Sequence, residues 1–398
     1  KSFSDEIPFD PSLFVNFRKR LGVELINELN EKILGLSPSE QHQENDAPDK
    51  DLPKSEGTST PVTHKGKLIT DATACPQDIA YPTDLNVLNG AREKSEQLID
   101  ILYDIEKHSQ KPRTYREIAR KDYLKTAQKK VKKKKEIRAA NRKQLGYLKR
   151  NLGHIDNLLD TYQEIPLERL AHKYLFVIQE VYRQQQYMHT NRVHSVEQRI
   201  VSIHQPHVRP IVRGKANAKT EFGAKINVSL MNGYAFLDEL SWEAFNEGQY
   251  LIRTVEDYKR RFGYYPEEVM ADKIYCNRSN RAELKRLKVK LRAKPLGRPK
   301  AVEVERVRPG ERNPIEGKFG QAKTAYGMNR IKARLQQTSE SWIATIILVL
   351  NLVKLAGERP LALILDFLSF SALVERFWKI MHLNNEIRSW ERQKIWLS

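Results

Sequence analysis

The sequence predicts an α/β protein: a mixed-sheet core interrupted after its first strand by a basic α-helical insertion, with extra helices at the N- and C-terminal ends. Three observations lead there. Short apolar, β-branched runs and helical patterns follow in the order strand, two strands, helix, strand, helix, strand, helix, which is the pattern of an α/β fold with a mixed sheet. Residues 85–195 carry none of the strand signals and read as helix. At 196 the composition turns abruptly to alternating β-branched residues, so the helical stretch is inserted into the sheet domain.

Taken in order, residues 1–36 form an N-terminal helical segment. Asp10-Pro11 offers an N-cap and a proline at the first helical position, and Phe14, Phe17, Leu21, Leu25 and Leu29 recur at helical spacing, predicting one helix over 11–34. Residues 37–64 are polar, Pro-rich and acid-leaning; with so little apolar surface to bury they read as a flexible linker. The core begins at 65–84 with a strand from Lys67 to Thr73, closed by Cys75-Pro76. The insertion, 85–195, holds a helix over Leu85–Tyr103. A basic stretch over 113–150 follows, with a sparse Leu145, Leu148, Leu152 stripe, and then a helical run over Leu158–Met188.

The core resumes over 196–356. Arg199–Val212 and Glu221–Leu237 alternate as strands, with Gly214 and Asn232-Gly233 as turns. A helix over Glu247–Arg261, a strand over Glu268–Ile274, a helix over Arg281–Leu287 and a strand over Val289–Ala293 come next. Pro295–Pro309 is a basic loop, and Pro314–Leu335 and Ser341–Leu355 are helices. Residues 357–398 form a helical tail. The apolar runs Trp342–Val353 and Pro360–Val374 are short for a membrane span and carry Thr345, Asn351, Asp366 and Ser369, so they read as buried core helices and no membrane is expected.

The formal net charge is +19, and it is concentrated. Between Lys111 and Arg150 stand 17 Lys and Arg against three acids. Such a field favours a polyanion, above all nucleic acid, and makes Lys132, Lys133, Lys134, Lys135, Arg138 and Arg142 candidate contacts to a DNA backbone. Two cysteines, Cys75 and Cys276, with no CxxC, exclude a disulfide framework or zinc ribbon and suit a reducing compartment, here the cytoplasm. No GxxxxGK[ST], GxSxG or HExxH pattern occurs. His189, His194, His204 and His207 cluster in sequence, but Pro206 separates the last pair and no cysteine is near, which disfavours a zinc site.

Three carboxylates stand out. Asp71 and Asp272 close short apolar runs, and Glu316 opens a helix in Asn313-Pro314-Ile315-Glu316. Strand ends and one helix can gather such groups around paired divalent ions. Mg²⁺ takes one or two carboxylates and leaves other positions to water and phosphate, and two ions clamp the oxygens of an in-line phosphoryl displacement. Each residue also has an ordinary reading: a turn or cap for the aspartates, and a capping box with Asn313 as N-cap for Glu316. Asp78 and Asp84 rival Asp71 but lie beyond Pro76 and Pro82. Glu303, Glu305 and Glu311 rival Glu316 in a segment too rich in Pro and Arg for a packed helix.

The surroundings of these carboxylates resemble the DDE transposases of bacterial insertion sequences, in the broad group that includes the insertion-sequence-four and insertion-sequence-five families. The resemblance rests on Ile69 through Asp84, on Arg213-Gly214-Lys215 with Glu221-Phe222-Gly223-Ala224-Lys225, on Asp272-Lys273-Ile274-Tyr275 with Asn280-Arg281, and on Arg312 through Lys323. In the last segment Arg312, Glu316 and Lys323 match the group's recurring Tyr, Arg, Glu and Lys, whereas Pro309 stands at the Tyr position. The similarity covers residues 8–36 and 65–355.

The resemblance implies an RNase H-like core in which Asp71, Asp272 and Glu316 are catalytic and hold two Mg²⁺ or Mn²⁺ ions. It implies double-stranded DNA as partner, both element ends and target, with a homodimer on DNA and nucleoid association when bound. Arg312 and Lys323 become candidate DNA contacts: Glu316 and Lys323 are seven apart and share a helix face. The segment 1–36 becomes a candidate for end binding or dimerisation. The expected activity is cleavage and strand transfer at terminal inverted repeats. The alternative is an inactive DNA-binding protein derived from such an enzyme.

Overall fold

The structure, a computed structural model, describes residues 10, 12–36, 64–212, 220–293 and 310–358. The expected linker (bar His64), the basic loop over 295–309, the Gly214 turn and nearly all of the tail lie outside the described residues.

The N-terminal segment is two helices, not the one expected: α1 (Leu13–Arg20) and α2 (Val23–Ile33). Gly22, extended at ψ 167°, breaks the run and serves as N-cap of the second. The first strand, β1 (Lys67–Pro76), runs three residues past Thr73. The insertion follows as α3 (Asp84–Leu102), α4 (Arg116–Ala127), α5 (Lys134–Leu159) and α6 (Arg169–Asn191). Expected continuous helix is broken over 128–133, where successive lysines repel one another and would crowd the positive end of α5. A second break falls over 160–168 around Pro166. The block has its own core of Leu88, Leu98, Ile99, Leu148, Ile155 and Ile178. Inside it Arg92, 1% exposed, is held by Glu96 and Asn89.

Residues 201–208 are irregular, so the strand expected from Arg199 is only β2 (Arg209–Val212). Then come β3 (Thr220–Met231) and β4 (Tyr234–Ser241), joined through Asn232 and Gly233 at φ 50° and 81°, the backbone of a two-residue hairpin turn. A helix α7 (Leu251–Phe262), a short strand β5 (Glu268–Met270), a helix α8 (Arg278–Arg286) and a strand β6 (Lys290–Arg292) complete the sheet region. The chain resumes with α9 (Asn313–Ala325) and α10 (Gln336–Glu358). The helix expected over Pro314–Leu335 stops ten residues early, at Ala325, two residues before Gly327 at φ 71°.

The sheet is mixed, ordered β2-β3-β1-β5-β6, with β4 also on β3. β1, β2 and β4 run antiparallel to β3, whereas β1, β5 and β6 run parallel. Gly223 on β3 is needed for the β1 pairing, because a Cβ there would strike the Cys75 carbonyl oxygen. Strand alternation sends Ile226, Val228 and Leu230 to a core shared with α2, α9 and α10, and Leu68, Met231 and Val269 to a core shared with α7 and α8. The sheet is therefore covered on both faces.

By length and composition α10 is long and apolar enough to cross a membrane. In the fold it packs on the sheet through Ile343, Ile346, Ile347 and Leu350, and its Asn351 donates to Ala235 and Asn30 oxygens. Helix α2 is docked as firmly: Asn30 donates to the Ala235 carbonyl, and Glu31 receives both Arg260 and Arg261. The second half of the N-terminal segment is thus part of the sheet domain, while Leu13, Val15 and Phe17 of α1 are exposed.

Candidate active site

Two strands and one helix build the site. Parallel pairing sets Lys67 against Glu268 and Ile69 against Met270; carried two residues further, the same register sets Asp71 against Asp272. β5 stops at Met270 and the chain turns at Asp272, whose side chain accepts from Lys273 N at 2.7 Å. That is why the predicted strand to Ile274 is short. β1 runs on past the end of β5 until Ile331 meets Pro76, and Asp71 stands at the opening between. Alternation puts Leu68 on the α7 face, so Asp71, three residues on, faces α9.

Helix α9 meets this edge with its N-terminus, where unpaired N–H groups and the helix dipole favour negative charge. Arg312, its N-cap residue, donates from Nη2 to Asp71 at 2.8 Å and lies with Nη1 3.5 Å from Asp272. One guanidinium therefore joins the two aspartates. Arg312 Nε is buried and finds no acceptor among the described residues. Burial pushes the Asp71 carboxyl above its ordinary range; Arg312 and the Ala72 N–H pull it back, and Glu247 and Asp272 add to the rise.

Glu316 is exposed on α9, one turn beyond Arg312 and on the same side of the helix. Its capping box does not form, because Arg312 rather than Asn313 is the N-cap and makes no side-chain cap. Among the described residues no three Asp, Glu, His or Cys side chains gather as a metal-holding group. The structure thus brings Asp71 and Asp272 together and leaves Glu316 a turn away. The rivals are otherwise engaged: Asp78 pairs with Arg330, Asp84 with Arg199, and Glu311 with Arg292. Glu303 and Glu305 lie outside the described residues.

Arg312 is not positioned as a free phosphate contact, since its charge is committed to the aspartates. Lys323, in the last turn of α9, is half-buried. Lys132, Lys133, Lys134, Lys135, Arg138 and Arg142 are all exposed, on the turn before α5 and along its first half. His204 and His207 serve packing: His204 meets the Tyr174 hydroxyl at 2.8 Å, and the His207 ring stands edge-on to Trp242 at 4.4 Å.

Sequence reasoning assigned no role to the polar layer behind the aspartates. Tyr275 donates to Asn227 Oδ1 at 2.7 Å, and Asn227 donates to Thr70 at 3.3 Å, all three buried. Burial, then the charges of Glu247 and Asp71, hold the Tyr275 hydroxyl in its protonated form. Lys225 bonds Glu247 at 2.8 Å, a counter-charge to the acid that adds to the rise at Asp71. Lys225 and Tyr275 fall within the motif segments of the transposase resemblance; Glu247 carried no signal.

The residues fit a divalent cation in part. Two hard carboxylates side by side, one raised mainly by burial and the pair bridged by a single guanidinium, are a donor set for Mg²⁺ or Mn²⁺ with phosphate and water filling the rest.

A family described as Transposase DDE domain matches residues 269–353, a span that includes Asp272, Arg312, Glu316 and Lys323 but not Asp71. Searches of curated proteins and of solved structures give no match. The mixed α/β architecture is consistent with such a domain. The second half of the core is thus similar to the DDE domain of transposases, and this likeness supports a DDE transposase and a part in DNA transposition.

Proposed function

We propose that the chain is a DDE transposase of the insertion-sequence-four/insertion-sequence-five type, with an RNase H-like core. It binds the terminal inverted repeats of its element and catalyses metal-dependent cleavage and strand transfer on DNA in the cytoplasm. The observation that carries the reading is the meeting of Asp71, within β1, and Asp272, just past the end of the neighbouring parallel strand β5, joined by Arg312 at the N-terminus of α9; of these, Asp272 and Arg312 lie in the stretch similar to transposase DDE domains. Support for the fold comes from three antiparallel strands, β4, β3 and β1, continued by two parallel ones, β5 and β6.

In this reading Asp71 and Asp272, with Glu316 from α9, would hold the divalent ions. The ions supply a nucleophile at neutral pH and charge stabilisation on the phosphate. The chain's own residues do the positioning. The N-terminus of α9 faces the phosphate, and Arg312 holds the two aspartates side by side. The exposed lysines before α5 track the DNA backbone, giving affinity and position but no sequence reading. A homodimer would place one such site on each element end.

The test is incubation of labelled candidate element ends with Mg²⁺ or Mn²⁺, wild type beside Asp272→Ala. Cleavage by the wild type alone supports the assignment. Binding of the ends with no cleavage under either metal would leave the inactive DNA-binding alternative standing.

A further inference from the structure

A second site lies at the far end of β1. From Asp71 to Pro76 the strand runs about 17 Å at its ordinary rise, and beyond it a cleft of about 400 Å³ opens along the seam between sheet domain and helical block. That size is within the range of small-ligand sites. Its walls come from the segment after β1, from α3 and from the loop before β2. Gly90 of α3 keeps one wall thin: a Cβ there would stand 3.2 Å from Ile203.

Three features of the cleft point to one ligand chemistry. Gln205 lines it, is 5% exposed, and its Oε1 is buried without a hydrogen-bond donor among the described residues. A buried amide oxygen left unpaired is costly, so the cleft asks for a ligand N–H or O–H. Tyr81 stands at the mouth, 71% exposed, its ring braced edge-on by Phe222 at 5.6 Å. The charge is positive: Arg334 lines the cleft, and Lys94 and Lys173 stand near enough that, after burial, they and Arg334 hold His204 neutral. Asp78 is the acid in the lining, and Arg330 neutralises it. A nucleotide meets all three: a planar group with N–H donors, carried on an anion.

We propose that this cleft binds a single nucleotide, with its base against Tyr81 and a base N–H on Gln205, and its phosphate toward Arg334, Lys94 and Lys173. The proposal rests on the reading that the protein works on DNA, and takes the nucleotide to be an unpaired one in the bound duplex. A free mononucleotide would offer the same chemistry.

The experiment measures fluorescence anisotropy of two labelled duplexes, fully paired and with one bulged adenosine, and competition by 5′-dAMP. Wild type, Tyr81→Ala and Arg334→Gln are compared; both side chains are exposed, so the fold is spared. The expected result is about tenfold tighter binding of the bulged duplex, the order of one base–aromatic stack. That preference should disappear in Tyr81→Ala and shrink in Arg334→Gln, with paired-duplex affinity changed little by Tyr81→Ala. Saturable competition by 5′-dAMP that Tyr81→Ala abolishes, without a bulge preference, would support the site and make the free nucleotide its ligand. Binding of both duplexes alike, with no dAMP competition, would overturn the cleft and leave the DNA reading intact. No binding of either duplex would overturn the DNA reading, and the cleft proposal with it.

Discussion

Replacing Arg312 with Ala removes the cation between two carboxylates, and the consequence can be sized. Neighbouring strands are about 4.8 Å apart; at that separation and an effective dielectric near 20, two like charges cost roughly 3 kcal/mol. Asp272 is 47% exposed, so solvent screens much of this, and about 1–2 kcal/mol is a fair remainder. The lost hydrogen bond to Asp71, a charged acceptor only 19% exposed, is of the order of 1.5–3 kcal/mol. Because the two terms overlap, the expected destabilisation is about 2–3 kcal/mol at neutral pH.

The sign with pH follows from Asp71, whose carboxyl is already raised by burial and would rise further without Arg312. The Arg312→Ala penalty should therefore shrink as pH falls and Asp71 takes up a proton. Mn²⁺ or Mg²⁺ should also shrink it, since the ion meets the same two carboxylates with no guanidinium to displace; each 1.4 kcal/mol recovered corresponds to tenfold tighter ion binding. Urea unfolding with and without metal, at neutral and mildly acidic pH, measures the first effect, and calorimetric Mn²⁺ titration the second. If Arg312→Ala is as stable as wild type at neutral pH, or binds Mn²⁺ no more tightly, the guanidinium is not the counter-charge of this pair.

Four further outcomes are expected. Asp71→Asn should abolish end cleavage without lowering stability at neutral pH, because the native charge sits in a site that resists it; a clear loss in urea unfolding would contradict this. Gln in place of Lys132, Lys133, Lys134 and Lys135 should flatten the salt dependence of duplex binding by about 0.9 in log–log slope for each phosphate no longer neutralised, and an unchanged slope would make the run solvated surface. Asp238 is buried against Arg261 and Ser229 and pushed up to about 7, mainly by burial. Its raised value means that its stabilising contribution is full below the ordinary 3.8 and is lost as pH rises towards 7, so Asp238→Asn should flatten stability across that window. Tyr275→Phe leaves Asn227 Oδ1 buried without its donor and should cost about 1–3 kcal/mol in urea unfolding.

Much of this protein was legible in the chain itself, wherever local signals agreed. Helix α3 begins within a residue of its predicted start because Thr83 caps it, and the β3–β4 turn falls on Asn232-Gly233 because those residues accept positive φ. The run of helices between β1 and β2 and the chain order of the core's strands and helices followed from hydrophobic period. Asp71 and Asp272 were singled out because each closes a short apolar run, an ordinary place for a turn or cap, and it was the neighbouring motifs that set them apart.

What the tertiary structure decided is how those pieces face one another. Periodicity cannot say that β1 and β5 pair in the register that aligns Asp71 with Asp272, nor that Arg312, read as a phosphate contact, closes on both. It cannot find Glu247, which reaches the site's field from a short turn, or the Thr70–Asn227–Tyr275 layer, whose members are far apart in sequence. The break between α4 and α5 depends on repulsion among lysines rather than on any helix-breaking residue, and the docking of α2 depends on Glu31 meeting two arginines some 230 residues away. Local propensity is written residue by residue, whereas charge compensation and strand register are properties of pairs, and those pairs exist only once the chain has folded.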